Sequence, residues 1–303
     1  MGAPIILSSV SSIPNDYVEF RGGVTMTWTG WDGSVWDLTE PRSGVALTNE
    51  GTEGLHFPTI GKQKSRSRVM PGARTRGWQA DVRSVFWPIY LYADGSDEWR
   101  ERQEAFFRTI HPDRPGTWTV KTGDQVRTIQ LTGVFDDSMS YEADPVHQGW
   151  AFYAVKMEAD APYWQGPPIT PGTWRASSGR PFFPGPPFRL SSANVFAKAR
   201  LPNPGDVEFW PTWTMGDALD NIVVGVDGRL ITVPFSLIEG ERLVIYTDPR
   251  APKATVNGVD VMRDLGLQDF APVPPGVSVP LTIAATGAGF VSASGTPQYF
   301  RAF

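Results

Sequence analysis

No feature of this chain limits its fold more than the prolines in its middle. Between positions 165 and 187 the sequence reads QGPPITPGTWRASSGRPFFPGPP. Proline lacks the N–H that a sheet ladder needs, and it drives the residue before it toward extended geometry. The stretch therefore reads as a semi-rigid connector rather than sheet interior. It is entered through KMEADAPYWQGPP, residues 156–168, where a strand-like alternation meets Ala-Pro and must stop near Asp160. With 303 residues the chain exceeds one ordinary domain. The expected division is a first domain over 1–164, a connector over 165–190, a second domain over 191–295 and a tail over 296–303. Pro162, Tyr163 and Trp164 then stand at the junction, where the two aromatic rings are expected to anchor the connector to the first domain.

A chain with 31 glycines, 28 prolines and 12 tryptophans favours turns and strands over long helices, so a mainly β class is expected for both domains. In the first, VTMTWT and SVWDLT are short β-branched and aromatic runs separated by GWDG, the pattern of a hairpin. WQADVRSVFWPIYLYA alternates, which places Trp78, Ala80, Val82, Ser84 and Phe86 on one face, and Pro88 marks an edge position or a bulge. One helix is predicted over about 96–111. It caps at Ser96 or Asp97, carries Asp97 and Glu98 at its positive end, and closes with Arg108 and His111 before Pro112. Trp99, Gln103, Phe106 and Ile110 share one face. The strands TWTV, VRTIQLTGV and WAFYAVKM follow, giving a β-sandwich or barrel with one helix laid against it. In the second domain VEFWPTWTM, RLVIYT, ATVNGVDV and SVPLTIAAT are evenly spaced strands, and VVGVDGRLITV is a hairpin turning at Asp227-Gly228. A second β-sandwich follows.

Several functional classes find little support. A net charge of −5 argues against free nucleic-acid binding by the chain as a whole. Without cysteine there are no disulfides, thiolate metal sites or cysteine nucleophiles, which fits a reducing compartment. The start MGAPIILSSVSS has no Lys or Arg ahead of its apolar patch, and Ile6 breaks the myristoylation pattern, so neither a signal peptide nor a lipid anchor is expected. No run approaches the ~18 apolar residues of a membrane span, and no membrane insertion is expected. His56, His111 and His147 share no metal-ligand spacing. Asp136 with Asp137, and Glu158 with Asp160, offer the paired carboxylates of glycoside hydrolysis, but Asp136-Asp137 reads better as a hairpin turn. No phosphate-binding loop or nucleophile elbow appears in the right context. Accordingly no catalytic residue, metal or cofactor is expected.

Two stretches carry candidate contacts. In GKQKSRSRVMPGARTRG, residues 61–77, Lys62, Lys64, Arg66 and Arg68 alternate with other residues, which on a strand puts four cations on one face, and Arg74 and Arg76 follow. Such a run is either a charged edge that repels further strands or a contact for a polyanion or the acidic surface of a neighbouring subunit. In EFWPTW, Trp210 and Trp213 are candidates for stacking on sugar rings, although their odd spacing sends one of them into the core of a regular strand.

Taken in order, MPGARTRGWQADVRSVFWPIYLYA, WRERQEAFFRTI, GTWTV, VRTIQLTGV and EADAPYWQG resemble the distal tail protein (Dit) family of long-tailed phages with non-contractile tails. NPGDVEFWPTWTMGD, NIVVGVDGRLITV, EGERLVIYTDPR and VNGVDV continue the resemblance, which covers most of residues 60–290. The resemblance implies a structural, non-catalytic minor tail protein of a siphophage, assembled in the bacterial cytoplasm and located at the virion tail tip. It implies six copies closed into a ring by the first domain, joining the tail tube to the baseplate hub and the tape-measure protein. The second domain becomes a galectin-like sandwich that supports receptor-binding proteins. Pro162, Tyr163 and Trp164 fall at the family's domain junction. The basic stretch then lines the lumen or a subunit seam, meeting acidic neighbours or passing DNA without sequence readout. Other readings are an adhesin whose second sandwich recognises cell-wall polysaccharide, and a wall-degrading enzyme. In the ending GTPQYFRAF, Tyr299, Phe300 and Phe303 are expected to fold back onto the first domain or a neighbour.

Overall fold

The computed structural model describes residues 23–48, 51–66, 69, 71–136, 144–175 and 199–303. The chain divides into two packing units, Met1–Trp164 with Phe300–Phe303, and Gln165–Tyr299.

The first unit contains β1 (Val24–Thr29), β2 (Val35–Asp37), β3 (Val45–Leu47), β4 (Ile60–Ser65), β5 (Arg74–Ala80), β6 (Arg83–Tyr92), α1 (Ser96–Arg108), β7 (Gly116–Thr122), β8 (Gln125–Val134), α2 (Pro145–Gln148), β9 (Trp150–Ala159) and β10, which begins at Trp164. Its main sheet runs β2-β1-β7-β8-β9-β6-β3. The two ends meet where the Leu47 N–H donates to the Leu38 carbonyl at 2.8 Å, so the sheet nearly closes into a barrel. Strict alternation sets its interior: in β9, Ala151, Tyr153, Val155, Met157 and Ala159 are buried and their neighbours are not. Inside lies a chain of fully buried indoles. Trp28 and Trp87 are 5.3 Å apart, Trp87 and Trp118 5.1 Å, and Trp118 and Trp164 5.1 Å, all in edge or tilted contact as the ring quadrupoles favour. Helix α1 adds Trp99 and Phe106 to this core, with Ile110 just beyond its end. Strands β4 and β5 form a separate two-stranded sheet.

Three local expectations change. The helix stops at Arg108, and its N-cap is Gly95, which has no side chain to bond, rather than Ser96 or Asp97. The run 78–92 is two strands in two sheets, separated by Asp81 and Val82; the Asp81 N–H still donates to the Thr59 carbonyl at 2.9 Å, one step on from the Ile60–Ala80 pair. In β6 Arg83, Val85, Trp87, Ile89 and Leu91 are buried, while Ser84 and Phe86 on the other face are not. Pro88 makes no bulge, since the β6–β9 register runs unbroken through Pro88 opposite Ala154. Its carbonyl accepts from Thr48, just past the end of β3, so its missing N–H removes one bond at a strand end, which is an edge position.

The second unit contains β11 (Thr173–Arg175), β12 (Arg200–Pro202), β13 (Thr212–Gly216), β14 (Leu219–Val226), β15 (Arg229–Thr232), β16 (Arg242–Tyr246), β17 (Lys253–Val256), β18 (Val259–Asp260), α3 (Met262–Leu265), β19 (Ser278–Gly287), β20 (Phe290–Ser294) and β21 (Gln298–Tyr299). One sheet runs β11-β20-β13-β16-β17-β18 and the other β12-β19-β14-β15. Between them Trp213, Met215, Leu243, Ile245 and Ala293 meet Ile222, Val224, Leu281 and Ile283 in one core. The predicted hairpin forms, with Val226 opposite Arg229 and the turn residues at φ 48 (Asp227) and φ 81 (Gly228). Part of the predicted connector proves to be strand: Thr173–Arg175 is the edge strand β11, with Thr173 opposite Ser292. Its three residues are free of proline, so their N–H groups remain available to the ladder. The remainder of the connector from 176 to 190 lies outside the described residues, as do Ile6, Arg68 and Asp137.

Candidate functional site

The basic stretch builds an exposed ribbon. Lys62 pairs with Trp78 and Gln63 with Gly77; the register then shifts to Lys64 with Thr75 and Ser65 with Arg74, leaving Arg76 as the bulged residue. Lys62, Lys64, Arg66, Arg74 and Arg76 are all exposed, and Arg76 Nε donates to Ser65 Oγ at 3.2 Å. Because β4 ends at Ser65, the expected row of four cations on one strand face contracts to Lys62 and Lys64, with Arg66 past the strand end. No acid falls between Gly61 and Ala80, so a chain of net charge −5 with six cations in this stretch of sequence carries −11 elsewhere.

At the root of the ribbon lies a knot that only the structure reveals. Arg83 is 2% exposed. Its Nε donates to the Pro162 carbonyl at 2.7 Å, Nη1 to the carbonyls of Gly54 (2.7 Å) and His56, and Nη2 to the Phe300 carbonyl at 2.8 Å. Burial pushes its guanidinium down to about 10. The same cluster holds the junction residues. Trp164 Nε1 donates to the Gly54 carbonyl at 3.2 Å, and Tyr163 packs edge-on against Phe300 at 5.9 Å. Phe300 also meets Phe57 at 5.8 Å and Trp78 at 6.0 Å, Phe303 meets His56 at 6.1 Å, and the Ala302 N–H donates to the Leu55 carbonyl at 2.8 Å. The chain end is thus folded onto its own first unit.

The outer face of β6 and β9 is aromatic. Register places Tyr92 opposite Trp150 and Tyr90 opposite Phe152; Tyr90 lies 4.8 Å from Phe152 and 5.5 Å from Tyr92, and Trp150 lies 5.7 Å from Phe152. Trp150 and Phe152 remain 39% and 49% exposed. Burial raises the Tyr90 and Tyr92 phenols above their ordinary value.

Trp213 is fully buried between the sheets of the second unit, which removes it as a sugar platform: its odd spacing from Trp210 turns it inward. Trp210 is half-buried and lines a surface cavity with Tyr246. His111 pairs with Asp113 and His56 with the Phe303 ring, while His147 sits in α2. Asp136 pairs with Lys156. Among the described residues no group of three or more His, Asp or Glu could hold a metal ion.

No family model and no curated protein matches the sequence. Solved structures do match. The Dit protein of phage SPP1, presented as a paradigm of the hub adsorption apparatus of phages infecting Gram-positive bacteria, has a TM-score of 0.63 at 16% identity, covering 91% of this chain and 99% of that one. This chain has the Dit fold. A chain of the phage P2 baseplate in its calcium-activated conformation has a TM-score of 0.52 at 11% identity, covering 90% of this chain and 98% of its own. The Dit fold therefore spans both units at nearly full length.

Proposed function

We propose that this chain is a structural subunit of a phage tail tip, closing with five further copies into a ring that joins the tail tube and tape-measure protein to the baseplate hub and carries receptor-binding proteins. The observation that carries this reading is the Dit fold along nearly the whole of this chain and of SPP1 Dit. A closed ring repeats one head-to-tail contact, so each copy must present two different surfaces that fit each other. The first unit has suitable ones. Its aromatic face over β6 and β9 leaves rings in solvent that a monomer gains nothing by exposing. Its ribbon concentrates cations on a chain otherwise at −11, which suits the acidic surface of the next copy better than solvent. An isolated two-stranded ribbon is also marginally stable in water, and a neighbour supplies the missing contacts. The role is architectural, set by shape and repeated contact, with assembly in the host cytoplasm.

Serine substitution of Lys62, Lys64, Arg66, Arg68, Arg74 and Arg76 tests the ribbon. Loss of rings, or rings that fall apart at lower salt than the parent, is the expected result. Rings of normal mass with slowed DNA ejection would move the ribbon to the lumen, where it meets phosphate. Unchanged assembly and infectivity would remove it from function.

A further inference from the structure

We infer that the second unit holds a site for a single neutral pyranose ring of a glycan, built around Trp210 and Tyr246. The outer face of the six-stranded sheet carries hydroxyls in register: Tyr246, Thr212 and Ser294 form one row across β16, β13 and β20, and Thr214 and Ser292 stand in the next beside the apolar Val244. At the Trp210 end of β13 lies a cavity of about 240 Å3, walled by Gln165, Trp210, Tyr246, Asp248, Arg250 and Gln298 among others. Phe209, 2% exposed, lies beneath it. A Cβ at Gly295 would come 1.8 Å from Phe209 Cε2, so glycine there is what lets the ring occupy that place.

Size, polarity and charge select the ligand. Pockets for drug-sized ligands run to about 300–1,000 Å3, so this one suits one sugar ring. Trp210 and Tyr246 offer the aromatic faces against which the C–H side of a pyranose packs, each with a polar handle at its edge. The side chains of Gln165, Gln298 and Trp210 and the Tyr246 hydroxyl have no hydrogen-bond partner among the described residues, and the two amides can each both donate and accept toward sugar hydroxyls. Asp248 and Arg250 are joined as a fork, Nη2 to Oδ2 at 2.6 Å and Nε to Oδ1 at 3.0 Å. An anionic ligand would have to compete with that carboxylate for the guanidinium, whereas a neutral hydroxyl can add to the pair as it stands. All these residues belong to Gln165–Tyr299, so the site is independent of the ring reading and of its failure.

The test is saturation-transfer NMR on the full-length protein with glucose, galactose and N-acetylglucosamine, and with polysaccharide released from Gram-positive cell walls. Saturable binding of at least one of them is expected, weakened tenfold or more in Trp210→Ala and in Gln298→Ala and unchanged in Trp31→Ala, which removes an exposed indole from the first unit. No saturable binding to any of the four overturns the site. So does binding that survives both pocket substitutions, or that Trp31→Ala weakens equally.

Discussion

Replacing Arg83 by methionine keeps most of the side-chain volume but strips donors from four backbone carbonyls, those of Gly54, His56, Pro162 and Phe300. Hydrogen bonds to a charged group contribute about 1.5–3 kcal/mol each, so the gross loss is roughly 6–12 kcal/mol. Against this, burying the cation, visible in its pKa of about 10, costs on the order of 3 kcal/mol. Some of the freed carbonyls regain water, so the net falls near the lower end, about 3–5 kcal/mol, as for stripping one partner from a buried charged pair. For a unit of this size that lowers the melting temperature by roughly 6–20 °C. Differential scanning calorimetry reads it as a shift in the first-unit transition with the second-unit transition in place. Hydrogen exchange supplies the local readout: the Ala302 amide, bonded to the Leu55 carbonyl, exchanges faster when Phe300 loses its tether. Arg83→Lys should fall between the two, because one ammonium has three donors for four acceptors. A shift below about 2 °C with unchanged exchange at Ala302 would refute the clamp.

Two further outcomes follow from the second unit. The Arg250 side-chain bond holds the Asp248 carboxyl below its ordinary value of 3.8, so the pair stabilises the fold above that pH and loses its contribution as pH falls through the lower folded value; carboxyl NMR should show the depressed midpoint, and Arg250→Gln should return it to the usual range. Gly228 stands at φ 81 with nothing within 4 Å of the place a methyl group would take, so Gly228→Ala meets only backbone strain and should cost about 1 kcal/mol, read by denaturant unfolding; a neutral effect would mean that the turn tolerates a side chain.

What the sequence made legible was what local chemistry alone decides. The alternation of β9 and the stop at Ala-Pro needed only period-two patterning and a missing N–H. The Asp227-Gly228 turn needed only positive φ, and the odd spacing of Trp210 and Trp213 already separated their faces. Long-range pairing was not legible. The alternation of 78–92 did not say which of its faces would lie inside in β6, and so hid Arg83, whose partners come from three distant segments. The aromatic face had no local signature either: Tyr90 and Tyr92 meet Trp150 and Phe152 only through the β6–β9 register. Thr173–Arg175 became strand because proline surrounds it without entering it, a distinction that reading the whole stretch as connector blurred.

The central claim is that this chain works as one unit of a closed ring. Native mass spectrometry of the purified full-length protein, with negative-stain imaging of the same sample and with tail-tube protein added, measures it directly. A species near six copies of the 33.3 kDa chain, imaged as a ring, is the predicted result. A protein that stays monomeric at every concentration, both alone and with the tube protein, would contradict it.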